Sequence, residues 1–191
     1  DLIILNGAII NRKDKLNVHV VLLAMNNIGY SNICKILEHA YTPITIGTRS
    51  SLPVDPFVSI DYLCEHSEGV IILSGVKTNG LGYALATHSE GDDVLQKLLN
   101  AFGNRFYIEM CRTIGQTDFE YEDVLFDLAD NAGLPICATI DIQYASQDDA
   151  SAWHLLRAPR YGLTIIIKEA GSVEAANPCF YIPTSEEFEL L

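Results

Sequence analysis

Asp141 follows directly on the apolar run Ile136-Cys137-Ala138-Thr139, and Gln143 stands two positions further on. A helical pattern stops at Gly133 just upstream, so the spacing predicts a buried strand over Ile136–Thr139 with a single carboxylate at its end. In parallel α/β proteins the strand ends are where chemistry is placed. Side chains two residues apart on an extended chain share a side, so an Asp-x-His pair here would present two metal ligands together. Gln143 takes the second place, and a neutral amide is a poor ligand beside imidazole. The pattern keeps the geometry of a metal site without its ligand set. The competing reading is a turn or helix-start aspartate.

His19 opens the run Val20-Val21-Leu22-Leu23-Ala24, where a lone histidine serves as a structural residue more often than as a ligand. His39, His66, His88 and His154 fall on helices or turns and are expected to be solvated or locally bonded. Glu109 interrupts the apolar run Phe106–Met110; if buried it needs a partner such as Arg112, and otherwise it faces a wet side of the strand. Gly75-Val76-Lys77-Thr78-Asn79-Gly80 lies between a strand and a helix, where free backbone N–H groups can hold a phosphate. It lacks the P-loop spacing and is read as a structural turn. Ser74 has neither a G-x-S-x-G context nor an evident base, which argues against a hydrolase nucleophile. Trp153, Leu155 and Leu156 read as helix packing.

The elements that must position these residues are legible as alternating patterns. Short runs suited to strands occur at Leu2–Leu5, Val18–Met25, Val70–Leu73, Phe106–Met110 and Ile136–Thr139. They are apolar nearly throughout, as parallel strands covered on both faces are. Helical spacing appears at Ile33, Ile36, Leu37, Ala40 and Tyr41, again at Leu95, Leu98, Leu99 and Phe102 before Gly103, and again at Tyr121, Val124, Leu125, Leu128, Ala129 and Ala132 before Gly133. Both glycines stand where a left-handed cap is needed. Asp118 or Thr117 can cap the third helix, and Glu120, Glu122 and Asp123 complement its positive end. Thr42–Pro56, with three prolines, predicts a long loop; Ala158–Pro178 predicts a second irregular segment with a strand at Leu163–Ile167. Thr184-Ser185-Glu186-Glu187 has capping-box spacing and starts a short terminal helix. Strand–helix alternation favours a parallel α/β sheet or barrel.

The chain has 191 residues, 49% of them hydrophobic and 19% charged, which suits one globular domain with a real core. Its formal net charge is -13, and so acidic a surface repels phosphate backbones, so no direct nucleic-acid binding by this segment is expected. Cys34, Cys64, Cys111, Cys137 and Cys179 are odd in number and scattered, without a C-x-x-C pair. They predict neither a disulfide framework nor a zinc knuckle, and point to a reducing cytoplasm. Cys34, Cys111 and Cys137 are expected to be small buried hydrophobes. No run is long enough to span a bilayer and no secretory leader is evident, so no membrane association is expected. The chain opens on Asp1-Leu2-Ile3-Ile4-Leu5, straight into a strand and without an initiator Met, as a piece of something longer would.

Several blocks together resemble one family. His19-Val20-Val21-Leu22-Leu23-Ala24-Met25-Asn26-Asn27-Ile28-Gly29-Tyr30-Ser31-Asn32 resembles a strand and helix start of the polymerase-and-histidinol-phosphatase (PHP) domain of bacterial DNA polymerase III α subunits. So do Ser67–Gly75, Asn104–Glu109, Gly133–Thr139 with Asp141, and Ser185-Glu186-Glu187-Phe188, in the family's order and over nearly the whole of 1–191. The resemblance implies a distorted (β/α) barrel, incomplete at its N-terminus because the opening strands with their H-x-H pair are missing. In metal-binding relatives the chemistry is phosphoester hydrolysis, proposed as proofreading, with metals activating water.

Carried over residue by residue, the resemblance implies a depleted site. The acidic ligand after the first glycine falls at Ile9, the Cys or His after Ser74-Gly75 falls at Val76, and the His two residues beyond the matching Asp141 is Gln143. His19 matches a ligand histidine, so His19 and Asp141 are vestigial metal residues, with Glu109 structuring the barrel floor. Two ligands cannot hold a catalytic cluster. The Arg112-Thr113 step resembles the metal-free branch of the family, in which the domain is a platform that docks a separate proofreading exonuclease subunit. The expectation is thus a silent domain without a cofactor, from a DNA-directed DNA polymerase α subunit whose synthetic carboxylates lie elsewhere, with the rest of that subunit and the exonuclease as partners. One rival is a PHP phosphoesterase that completes a Zn or Mn site with ligands outside this chain. Another is a free-standing interaction module.

Overall fold

A computed structural model of the chain describes residues 3–10, 15–42, 44–46, 49–51, 57–76, 80–89, 91–113, 120–161, 167–168, 172–173 and 179–189. The chain divides into two compact units, Asp1–Met110 with Phe119–Ala138, and Cys111–Asp118 with Thr139–Leu191.

The first unit is built on β1 (Ile3–Ile10) and β2 (Lys15–Ala24), followed by α1 (Asn27–Ala40), a small hairpin of β3 (Ile44–Ile46) and β4 (Arg49–Ser51), then β5 (Phe57–Ser59), α2 (Ile60–Glu65) and β6 (Val70–Leu73). Two helices, α3 (Leu81–Thr87) and α4 (Gly91–Phe102), lead to β7 (Phe106–Arg112), and α5 (Glu120–Ala132) leads to β8 (Ile136–Ile140). The six-stranded sheet has the order β5-β1-β2-β6-β7-β8. The α/β class expected from the alternation is therefore present.

A uniformly parallel sheet is not. β2 runs antiparallel to β1, with Ile3 opposite Leu22 and Ile10 opposite Lys15, and antiparallel to β6, with Leu22 opposite Ile72. The β1–β2 connection, Asn11-Arg12-Lys13-Asp14, is far too short for the crossover a parallel pair needs. β1 with β5 and β6 with β7 are parallel. The predicted long loop at Thr42–Pro56 contains the β3–β4 hairpin instead, its first strand a run of β-branched Ile44-Thr45-Ile46. The strand expected to run to Met25 stops at Ala24, leaving Met25 exposed.

β2 buries Val18, Val20, Val21 and Leu22, and β7 buries Phe106, Ile108, Met110 and Cys111. Ile33 and Ile36 of α1, Leu95, Leu98 and Phe102 of α4, and Leu125 and Ala129 of α5 join that core, as the helical spacing required. Each large buried aliphatic or aromatic side chain contributes about 1.5–3 kcal/mol relative to exposure. Asn26 caps α1 by accepting from the Gly29 N–H at 3.0 Å. Gly29 is fixed by proximity, since a Cβ there would lie 1.8 Å from the Gly69 carbonyl oxygen. Gly103 and Gly133 adopt the left-handed conformation expected after α4 and α5. The proposed caps Thr117 and Asp118 lie outside the described residues.

In the first unit, two expectations about burial fail. β8 was expected to be buried, yet Ile136 is 44% exposed and Ala138 is exposed. Among the described residues it is the terminal strand of the sheet order, paired along one edge. Cys34 faces outward and Cys137 is half-buried; Cys111 is buried as expected.

In the second unit a 3-10 turn at Gln147–Asp149 enters α6 (Ala150–Tyr161), with Ser146 and Asp149 forming a reciprocal cap. α6 carries the chain to Tyr161, inside the segment expected to be irregular, and β9 (Ile167–Lys168) pairs antiparallel with β10 (Ser172–Val173). Of the predicted Leu163–Ile167 strand, residues 163–166 lie outside the described set. Trp153 packs between Tyr144 and Phe180, at ring separations of 5.7 and 5.6 Å. Leu155 and Leu156, expected to pack likewise, are 41% and 81% exposed. The capping box before α7 (Ser185–Glu189) is formed as expected: Glu187 N–H donates to Thr184 Oγ1 at 3.3 Å, and the Glu187 carboxylate accepts from the Thr184 N–H at 2.8 Å.

Candidate functional site

The sheet of the first unit brings together Ser74, at the end of β6, and Glu109, within β7. Ser74 is fully buried, and its hydroxyl accepts from the Glu109 N–H at 2.9 Å. Its own N–H donates to the Tyr107 carbonyl, and its carbonyl accepts from the Gly82 N–H, each at 2.9 Å. Ser74 thus spends its polar groups on joining β6, β7 and the start of α3, which is structural work. Glu109 is 4% exposed, so the wet-face alternative for this carboxylate is overturned. Burial first, and then the negative charge of Glu109, push the half-buried Cys137 thiol up, which disfavours a thiolate nucleophile there.

His19 lies on β2 between fully buried Val18 and Val20 and is itself half-buried. A bridge joins it in parallel sense to Gly80, at the entrance of α3. Gly75 has φ +78°, and a Cβ on it would stand 2.0 Å from the His19 carbonyl oxygen. The backbone at Gly75 thus packs against β2. Lys77, Thr78 and Asn79 lie outside the described residues.

Asp141 and Gln143 belong to the second unit, just past β8. The spacing of two brings their side chains together, and the Gln143 amide Nε2–H donates to Asp141 Oδ1. Asp141 is half-buried and Gln143 exposed. The neighbouring backbone is anchored, since the N–H groups of Gln143 and Tyr144 both donate to the Phe180 carbonyl, at 2.8 and 3.2 Å. Phe180 N–H returns a bond to Tyr144 Oη at 3.2 Å. Among the described residues no group of three or more His, Cys, Asp or Glu side chains is placed to hold a metal ion.

Two of the remaining histidines are locally engaged. His39 stacks on Tyr62 at 3.9 Å, and Tyr62 on His66 at 4.2 Å; His66 Nδ1 also lies 3.0 Å from the Tyr62 carbonyl oxygen. His88 is exposed at the end of α3. The side chain of His154, on α6, lies outside those described.

Arg105, which the sequence reading passed over, is a hub of the first unit. Its guanidinium donates to the carbonyls of Ser67, Val70 (2.6 Å) and Ala101 (2.9 Å) and lies 5.6 Å from the Phe102 ring centroid. The only sequence signal was a cation just after a helix end, where it meets the negative pole of α4.

The profile of the PHP domain matches residues 3–113, more than half the chain. This chain belongs to the PHP domain family. It is similar to DNA polymerase III subunit alpha of Escherichia coli O6:H1, with 30% identity over 149 residues, 77% of this chain and 12% of that protein. The subunit of the same name from Vibrio cholerae is 30% identical over 149 residues, 76% of this chain and 12% of its own length. That of Pasteurella multocida is 32% identical over 135 residues, 70% of this chain and 11% of its own. The chain thus spans about an eighth of the length of the relatives it matches.

Proposed function

We propose that this chain is a catalytically silent PHP domain of a replicative DNA polymerase α subunit, acting in the cytoplasm as a platform that docks the proofreading exonuclease subunit. The fold this reading assigns is a distorted (β/α) barrel of the PHP type. Its partners are the remainder of the polymerase subunit and the exonuclease, while nucleic acid is held elsewhere.

One observation carries the silent reading: the Asp141 carboxylate accepts from the amide of Gln143, the residue at the second ligand position. A cation is thereby replaced by a neutral donor. Ile9 and Val76 stand at two further ligand positions and offer no donor atom at all. His19 and Asp141 alone fall short of the roughly four ligands a divalent cluster takes, so the donor set does not fit a catalytic metal centre. Ser74, fully buried with its Oγ taken by the Glu109 N–H, and the raised Cys137 thiol are poor candidates for an alternative nucleophile. Glu109 is assigned a structural role in the floor of the sheet.

Elemental analysis of the purified protein, with phosphodiesterase activity assayed on the same sample, tests this. Near-zero metal with no activity is expected. Stoichiometric zinc or manganese with activity lost in Asp141→Ala would establish a PHP phosphoesterase instead. Direct titration with the exonuclease subunit tests the docking half.

A further inference from the structure

We draw no further inference here: the strongest candidate, the apolar surface patch at the passage from β2 into α1, where Met25, Ile28 and Tyr30 are each more than half exposed, carries nothing because nothing in the structure shows what covers it.

Discussion

The Gln143 amide donates to Asp141 Oδ1, two positions upstream in the same chain. The bond answers the carboxylate's need for a donor with a neutral group from its own chain. Both side chains reach solvent, so the bond is replaceable by water. Gln143→Ala is therefore expected to change stability by no more than about 0.5 kcal/mol in denaturant unfolding. Gln143→His alone should still give near-zero zinc by elemental analysis, because the proposed further ligand positions, Ile9 and Val76, carry no donor atom. Stoichiometric zinc in that single variant would show that the other ligands are already supplied.

Arg105 gathers the carbonyls of Ser67, Val70 and Ala101, drawn from the turn before β6, the strand itself and the end of α4. Losing it leaves three acceptors to be satisfied by water at a half-buried site. Arg105→Ala is expected to cost about 1.5–3 kcal/mol in urea unfolding, and Arg105→Lys to recover only part of it, since an ammonium cannot span three acceptors in one plane. An Arg105→Lys variant as stable as the parent would mean that charge at the α4 end, and not the fork, is what matters.

Gly75 and Gly133 both have positive φ, yet they differ in what surrounds them. At Gly75 a Cβ would strike the His19 carbonyl; at Gly133 it would meet nothing within 4 Å. Gly133→Ala should thus cost only the left-handed strain, about 1–2 kcal/mol. Gly75→Ala must in addition push β2 and the turn apart, and is expected to exceed about 3 kcal/mol or to abolish folding. Equal losses at the two positions would contradict the close packing of the turn on β2.

What the sequence allowed to be read follows from where the information sits. Helical spacing named the buried faces of α1, α4 and α5, and Gly103 and Gly133 marked two ends, because those signals are local. Strand direction was misread because apolar runs such as Val18–Ala24 say that both faces are covered but not which way the neighbour runs. The deciding clue, four residues between β1 and β2, was hidden by ending the first strand at Leu5; Asn6 and Gly7 interrupt the apolar pattern while their backbones still pair with His19 and Val18. β5, only three residues long, was below what periodicity detects. Burial of β8, Leu155 and Leu156 depends on what lies opposite, which composition does not specify. At the candidate site the Asp141–Gln143 proximity was readable from period two, whereas the joining of Ser74 to Glu109, 35 residues apart, required the sheet order.

Cysteine labelling separates exposed Cys34 from half-buried Cys64. Cys34 is exposed on α1. Cys64 on α2 is half-buried, its Sγ lies 3.8 Å from the Lys97 carbonyl oxygen, and burial, assisted by Asp61, pushes its thiol up to about 11. Only about one Cys64 in a thousand is thiolate at pH 8, and the thiolate is the reactive form. Brief treatment with iodoacetamide at that pH should modify Cys34 first and spare Cys64, as read by peptide mass spectrometry. Preferential labelling of Cys64 would show that α2 opens readily.

The α7 anchor is expected to depend on pH in one direction. Glu187 accepts from Tyr181 Oη at 2.6 Å and from the N–H and hydroxyl of Thr184, and these bonds, the tyrosine's first, hold its carboxyl below the usual glutamate range. The charged form is favoured in the folded chain, so the contribution is complete above the ordinary glutamate pKa and fades as pH falls through the lowered folded value. The same bond pushes the Tyr181 hydroxyl up. Amide exchange across Ser185–Glu189 should accordingly speed up on acidification, relative to the intrinsic rate, before the core strands β2 and β7 respond. Tyr181→Phe removes the leading cause, so the titration of Glu187 followed by carboxyl carbon NMR should move back toward ordinary glutamate. An unchanged titration in Tyr181→Phe would assign the shift to the Thr184 cap alone.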